Sequence, residues 1–263
     1  MVLIDMLDRL LWPVWRECSA MMFEREIGDG ILIVAPHPDD EIIACAGVMM
    51  FALDMAQSVN VLVITDGAAC YDSESFSSSI DKLALAKIRQ EESVAAGRCI
   101  GLRRSNYIWT NLPDGRLRMP GLCGLVSKLI SHCLESIKPR WVFAPSWDDN
   151  HLDHQVVAQA CKVALETSGL PIGLSQYIVW NNDKHTCARF NMVHRLSPDQ
   201  SKKKRAALMK FKSQIIPFES GIEPVLLAEQ VDRWLSSEER FCIRLPWHPP
   251  RKPFYYSVDD LFL

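Results

Sequence analysis

The chain has 263 residues, of which 48% are hydrophobic and 23% are charged, and its formal net charge is −3. This composition is typical of a globular protein that is long enough to enclose a sizeable core. The slightly acidic balance argues against a general polyanion binder, since nucleic-acid-binding domains usually carry a basic face, and no stretch reaches the ~20 apolar residues that a membrane span needs.

The cysteines and the N-terminus bear on the cellular compartment. The nine cysteines are irregularly spaced and include no Cys-x-x-Cys pair, which favours free thiols in a reducing compartment over a disulfide framework. Asp5, Asp8 and Arg9 interrupt the first apolar residues, and no basic segment precedes them, so we expect no secretory signal. We therefore expect a cytoplasmic protein.

Residues 1–29 contain an unusually apolar stretch around Trp12 and Trp15. We interpret this segment as a leading helical extension that packs on the domain or on a second subunit, and we expect a homo-oligomer. A peripheral contact with a membrane surface is the alternative for such a segment.

Short apolar runs alternate with longer segments of helical periodicity, which predicts a Rossmann-like α/β fold with a mostly parallel sheet flanked by helices. The predicted strands cover 31–34, 59–64, 107–109, 141–144, 176–180 and 188–194. The predicted helices cover 42–55, 81–100, 122–137, 156–165, 198–212 and 228–236. Because no internal repeat or linker interrupts the pattern, we expect a single domain over 1–263.

Charged side chains follow the first predicted strand directly. His37, Asp39 and Asp40 come after the apolar run 31–34 and before a helix-like segment. Open α/β sheets bind their ligands at the carboxyl ends of the strands, so this is a candidate site. His37 and Asp40 lie three residues apart at the start of the helix, so their side chains can converge on one point.

A second histidine cluster follows the predicted strand 141–144. The tetrapeptide His-Leu-Asp-His begins at His151 and ends at His154, again just before a helix-like segment. Two such clusters at one edge of a sheet can supply His37, Asp40 and His154 to a single metal ion. Three nitrogen and oxygen ligands with one open position form a catalytic zinc set.

The pattern His-Pro-Asp-Asp-Glu after a first strand, followed later by His-x-Asp-His, resembles the PIG-L/LmbE-like zinc N-deacetylases. The resemblance covers about residues 31–216, which leaves 1–29 as the leading extension and 217–263 as a C-terminal helix and irregular tail. It implies a metal-dependent hydrolase that removes the N-acetyl group from an N-acetylglucosamine-type sugar or glycoconjugate. It also implies one zinc ion per chain, with iron(II) as the alternative for such a ligand set.

The resemblance also assigns roles beside the metal. Asp39 matches the general base, which takes a proton from the attacking water. His151 matches the position that stabilises the oxyanion, and a protonated imidazole is a suitable donor there. Asp153 is expected to orient His151 or His154 by a hydrogen bond.

Substrate contacts are expected from two further residues. Arg89 and Asp114 resemble family residues that contact the sugar, although a salt bridge by Arg89 and a turn at Asp114 are the structural alternatives. The chain departs from the family at Asp149, where some members have a tyrosine that assists the oxyanion.

Other interpretations stay open at this point. Taken singly, histidines are usually structural and acidic residues at helix starts are usually N-caps. A zinc amidase that acts on a different N-acyl group or on a thiol conjugate would use the same metal site. A catalytically silent sugar-binding relative would keep the fold but would not require Asp39. A nicotinamide-binding protein is disfavoured, because carboxylates replace the glycine-rich turn after the first strand.

Overall fold

Seven strands form one sheet in the computed structural model, which describes residues 30–72, 81–190, 192–217 and 223–244. The strands are β1 Ile31–Ala35, β2 Val59–Thr65, β3 Tyr107–Leu112, β4 Trp141–Pro145, β5 Gly173–Tyr177, β6 Met192–Arg195 and β7 Glu238–Arg244. The α-helices of the described residues are α1 Asp40–Asp54, α2 Lys82–Cys99, α3 Leu122–Ile137, α4 Leu152–Ser168, α5 Lys184–Arg189, α6 Pro198–Leu208, α7 Lys212–Ile215 and α8 Ala228–Trp234.

The strand order of the sheet is β3-β2-β1-β4-β5-β7-β6. Strands β1 to β5 pair in parallel, whereas β7 pairs antiparallel with both β5 and β6. From β1 the chain builds the sheet first toward β3 and then, from β4, in the opposite direction. The switch point therefore lies between β1 and β4, and in open α/β sheets the ligand crevice lies there, outside the carboxyl ends of the strands.

Strand β1 is buried on both faces, which explains its unbroken apolar sequence. Ile31 and Ile33 point into a core formed with α1, while Leu32 and Val34 point into a second core formed with α3 and α4. All four side chains are fully buried, and each contributes about 1.5–3 kcal/mol of hydrophobic stabilisation. The predicted mostly parallel α/β fold is confirmed by this arrangement.

The structure differs from the predicted elements around the last strands. The predicted strand 188–194 is wrong in its first half, because α5 occupies this region and Asp183 caps that helix by accepting a hydrogen bond from the backbone N–H of Thr186. The strand β6 is therefore limited to Met192–Arg195. Strand β7 was not predicted, because its charged residues gave no apolar run, yet it pairs between β5 and β6.

Two other boundaries differ. The predicted helix 198–212 ends earlier, because α6 stops at Leu208, and a short separate helix, α7, follows the segment 209–211. Strand β5 begins at Gly173 and ends at Tyr177, so Val179 and Trp180 belong to the following loop. The leading extension over 1–29 and the tail beyond 244 lie outside the described residues. Among the described helices, none is both long and apolar enough to cross a membrane.

Candidate active site

The carboxyl ends of β1 and β4 bring the two histidine clusters together. β1 pairs in parallel with β4, with Ile31 opposite Trp141, so both strands end at the same edge of the sheet. The ring centroid of His37 lies 4.6 Å from that of His151 and 5.3 Å from that of His154. The ligand atoms of these three imidazoles lie within 4.8 Å of one another, which is close enough to share one metal ion.

Asp40 places a carboxylate oxygen between two of the imidazoles. Its Oδ2 lies 3.2 Å from Nδ1 of His37 and 3.2 Å from Nε2 of His154. His154 Nε2 is buried and has no hydrogen-bond partner among the described residues, while its Nδ1 lies 2.8 Å from Asp149. A neutral ring that donates from Nδ1 directs the lone pair of Nε2 at the oxygen of Asp40. A proton or a cation must lie between two such acceptors, so these residues fit a metal ion.

The electrostatics agree with a cation site. The pKa of His154 is raised to about 9, because the carboxylates of Asp40 and Asp149 outweigh burial, which lowers it. The pKa of His37 is also raised: burial lowers it, and the charge of Asp114 outweighs burial. The pKa of Asp40 lies well below its usual range, because His154 and His37 outweigh burial, which raises it. A metal ion that binds here must displace protons from the imidazoles.

Asp39 lies beside this group and is held in a strained backbone conformation. Its φ is 136°, a value that L-residues rarely adopt and that costs of order 1–3 kcal/mol. The N–H of Asp39 donates to Glu41 Oε2 at 2.9 Å, and its Oδ2 accepts from the Arg89 guanidinium at 2.9 Å. Burial raises the pKa of Asp39 to about 7, against the lowering effect of Arg89. A carboxylate that titrates near neutrality is suited to general base catalysis.

Arg89, on α2, is almost completely buried, with 3% of its surface exposed. Besides Asp39, its guanidinium donates to the carbonyl oxygens of Gly67 at 2.6 Å and Pro38 at 2.7 Å. The guanidinium thus anchors the β1–α1 turn that carries the carboxylate. Although Arg89 lines the cleft, its direct contact with a substrate stays a prediction.

Two carboxylates lie on the other side of His37. Its Nε2 is 3.1 Å from Asp114 Oδ1 and 3.5 Å from Asp153 Oδ2. Asp153 also accepts from the backbone N–H groups of Gly115 and Leu117, at 2.7 and 3.2 Å, which fixes its position. From the sequence we expected Asp153 to orient one of the two histidines of its own cluster, whereas its carboxylate faces His37.

His151 is the N-cap residue of α4 and the most exposed of the three imidazoles. Its Nδ1 accepts a hydrogen bond from the backbone N–H of Asp153 at 3.2 Å, which caps the helix. Burial, together with the charges of the neighbouring His37 and His154, lowers the pKa of His151 to about 4. The ring is therefore neutral near pH 7 and carries its hydrogen on Nε2, unlike the protonated donor that we expected from the sequence.

Asp149 is the residue whose role the sequence did not reveal. It is fully buried, and its carboxylate lies 2.8 Å from His154 Nδ1. The backbone N–H groups of Val179 and Trp180 each donate to it at 2.9 Å, and that of Asn150 at 2.8 Å. Its position two residues before the His-x-Asp-His cluster was the available signal, but three of its four partners are backbone groups that a side-chain pattern cannot predict.

A cleft of about 360 Å³ lies at the candidate site. His37, Asp39, Asp40, Asp114 and His151 form its polar side. The remaining wall is mostly apolar and includes Ala69, Cys70, Trp180, Val225 and Leu226. The cleft is thus a polar, acid-rich site beside an apolar wall, as expected for a small-molecule site.

Comparisons with known proteins agree with this geometry. The model of the PIG-L family, described as GlcNAc-PI de-N-acetylase, matches residues 32–165. No curated protein sequence is similar enough to count as a relative. Among solved structures, N,N'-diacetylchitobiose deacetylase from Pyrococcus horikoshii superimposes with a TM-score of 0.63 and 20% identity, over 82% of this chain and 84% of that one.

Two other solved structures share the fold. The zinc-inhibited form of the teicoplanin deacetylase Orf2 has a TM-score of 0.61 and 14% identity, over 84% of this chain and 100% of that one. GalB, the 4-carboxy-2-hydroxymuconate hydratase from Pseudomonas putida KT2440, has a TM-score of 0.60 and 13% identity, over 88% and 100%. Since a hydratase shares it, the fold alone does not decide the reaction.

The family match is therefore the stronger evidence, and it coincides with the site. The matched residues include most of β1, both histidine clusters, Arg89 and Asp114, and they cover more than half of the chain. The chain belongs to the PIG-L family.

Proposed function

We propose that this protein is a zinc-dependent N-deacetylase that hydrolyses the N-acetyl group of an N-acetylglucosamine-type sugar or glycoconjugate. One observation carries the proposal. Asp39 lines the cleft next to His37, Asp40 and His154, and its carboxylate forms an ion pair with Arg89. Burial raises the pKa of Asp39 to about 7. A binding protein needs no such base, whereas a hydrolase does.

Zinc would be held by His37, Asp40 and His154. Two imidazole nitrogens and one carboxylate are typical ligands of catalytic zinc, with a position left open. His37 would use Nδ1, since its Nε2 faces Asp114, and His154 would use Nε2, since its Nδ1 faces Asp149. When bound, zinc supplies Lewis acidity, which polarises the acyl carbonyl and acidifies water.

The protein's own groups would move the protons. Arg89 holds Oδ2 of Asp39, so Oδ1 is the oxygen that accepts a proton from the attacking water. The protonated Asp39 then gives this proton to the leaving nitrogen as the C–N bond breaks, and the products are acetate and the free amine. Water and amide are thus converted without any other reactant.

His151 would stabilise the charge that develops on the carbonyl oxygen. Because Nδ1 accepts from the backbone N–H of Asp153, the neutral ring donates from Nε2. Removal of one such donor usually costs about 10²–10³ in kcat. A second donor at the place of the family's tyrosine is not available from Asp149, whose carboxylate has only acceptor atoms.

The sugar would lie against the apolar wall of the cleft, with Asp114 as the candidate acceptor for a hydroxyl. Asp114 Oδ2 accepts from the backbone N–H of Ala69, which holds the carboxylate at the cleft surface. Trp180 offers an aromatic face for the sugar ring. The cytoplasmic location and the homo-oligomeric state expected from the sequence stay predictions.

The test is release of free amine from zinc-loaded protein over a panel of N-acetylglucosaminides that differ in aglycone. The panel includes a simple sugar and inositol, malate, chitobiose, lipid-linked and antibiotic-like conjugates. Asp39→Asn removes the base while it keeps the side-chain shape, and we expect turnover to be lost with zinc still bound. Asp148→Asn is the matched control, because Asp148 does not line the cleft and its carboxylate pairs with Arg189 at 3.1 Å.

Normal turnover by Asp39→Asn, or activity that survives removal of the metal by a chelator, would contradict the mechanism. Release of longer acyl groups but not acetyl would identify an amidase of different acyl specificity. Silence of the whole panel in the presence of bound zinc would overturn the assignment of an N-acetylglucosamine-type substrate.

A further inference from the structure

The loop between β4 and α4 carries a buried carboxylate that the proposed proton transfers do not use. Asp149 is completely inaccessible to solvent. Its two oxygens accept from four nitrogen donors: the ring of His154 and the backbone N–H groups of Asn150, Val179 and Trp180. A buried carboxylate is stable only when such donors compensate for its lost hydration, and here they do.

These contacts determine which nitrogen of His154 carries the hydrogen. A carboxylate only accepts hydrogen bonds, so the 2.8 Å contact requires a hydrogen on Nδ1 of His154. In the neutral ring the lone pair is then on Nε2, the atom that lies 3.2 Å from Asp40 Oδ2. The other neutral tautomer would place the Nδ1 lone pair against the Asp149 carboxylate, so the contact with Asp149 excludes it.

The same carboxylate ties this ring to the wall of the cleft. Val179 and Trp180 follow β5, and their backbone N–H groups donate to Asp149 rather than to a neighbouring strand. Trp180 lines the cleft, and its ring centroid lies 6.4 Å from that of His151. Asp149 therefore binds both His154, a candidate metal ligand, and the Val179–Trp180 segment beside the cleft.

We propose that Asp149 is a positioning residue that holds His154 in the tautomer and orientation needed for metal binding, and that links this ring to the Val179–Trp180 segment. At the position where some members of the family have a tyrosine that assists the oxyanion, this chain has Asp149, whose carboxylate contacts the candidate metal ligand His154. The role rests on the proposed function, because it requires His154 to be a metal ligand.

The test is the zinc affinity of the full-length protein, measured by competition with a chromogenic chelator. Loss of a carboxylate that orients a metal-binding histidine typically weakens metal binding by about 10–100-fold. We expect this loss for Asp149→Asn and for Asp149→Ala, so that the second variant serves if the first does not fold. Asp148→Asn, the same substitution at the preceding and partly exposed residue, should bind zinc like the wild type.

A double-mutant cycle separates positioning from a general loss of structure. If Asp149 acts through His154, then Asp149→Asn should cause no further loss of zinc affinity in a His154→Ala background. An equal loss in both backgrounds would mean that Asp149 only supports the loop, and the proposal would be wrong. Unchanged zinc affinity in Asp149→Asn and Asp149→Ala would overturn it as well.

The outcomes for this role and for the proposed function are distinguishable. Zinc affinity does not depend on knowing the substrate, so the cycle can succeed even if every deacetylase assay is negative. If the wild type binds no zinc, both the metal site and the role of Asp149 are refuted. If the wild type binds zinc and Asp149→Asn binds it equally well, only the role of Asp149 is refuted.

Discussion

The ion pair between Arg89 and Asp39 offers the sharpest test of how the candidate base is tuned. Arg89→Met removes the guanidinium that lies 2.9 Å from Asp39 Oδ2 while it keeps an apolar side chain of similar length. The side chains of Arg89 and Asp39 are 3% and 6% exposed, so water cannot replace the lost cation easily. The variant also loses the hydrogen bonds to the carbonyl oxygens of Gly67 and Pro38.

Two magnitudes follow from this geometry. Removal of one partner of a buried ion pair typically lowers the free energy of unfolding by about 3–5 kcal/mol. Burial raises the pKa of Asp39 to about 7, and Arg89 opposes that rise, so the variant must have a higher pKa. A rise of about one unit would reduce the ionised fraction at pH 7 from about a half to roughly a tenth, and kcat/KM would fall about fivefold.

The assay is the pH profile of kcat/KM for amine release, with unfolding measured on the same samples. We expect the acid limb of the profile to move to higher pH in Arg89→Met, and to move less in Arg89→Lys, which keeps the charge. Arg98→Met, at an exposed position of the same helix, is the control and should keep both the profile and the stability. An acid limb that coincides with that of the wild type in Arg89→Met would refute the claim that Arg89 tunes the base.

Two other predictions concern the imidazoles. Zinc affinity should rise between pH 6 and 9, because protons compete with the metal for His154, whose pKa is raised to about 9, and for His37, whose pKa is also raised. Titrations at several pH values check this, and a flat profile between pH 6 and 9 would contradict it. His151→Phe should lower kcat by about 10²–10³ with little change in KM or zinc affinity, because the neutral ring donates to the carbonyl oxygen only in the transition state. Steady-state kinetics check this, and a rise in KM at constant kcat would contradict the role.

Much of the candidate site could be predicted from the sequence, because the signals are local. The apolar run of β1 and the charged residues after it are adjacent in the chain, so the position of His37 and Asp40 at a strand end followed from the sequence pattern. The second cluster, ending at His154, could be recognised in the same way. The family resemblance, which rests on these two clusters, agrees with the match over residues 32–165.

The element boundaries that failed have a common cause. Strand β7 is rich in charged residues, and it is a strand only because β5 and β6 offer it backbone partners on both sides. Helix α5 depends on a capping hydrogen bond from Thr186 to Asp183, which overrides the apolar residues that suggested a strand. Partners that are distant in the sequence, or a single cap, outweighed the local propensity.

The sequence by itself determined which chemical groups stand at the ends of the strands, because strand and helix periodicity and turn residues are properties of neighbouring residues. Only the tertiary structure decided how these groups face one another. The adjacency of β1 and β4 brings His37 to His154, and the loop after β5 gives Asp149 its backbone donors. Such contacts join segments far apart in the chain, so they depend on the packing of the whole sheet and its helices, which no local pattern specifies.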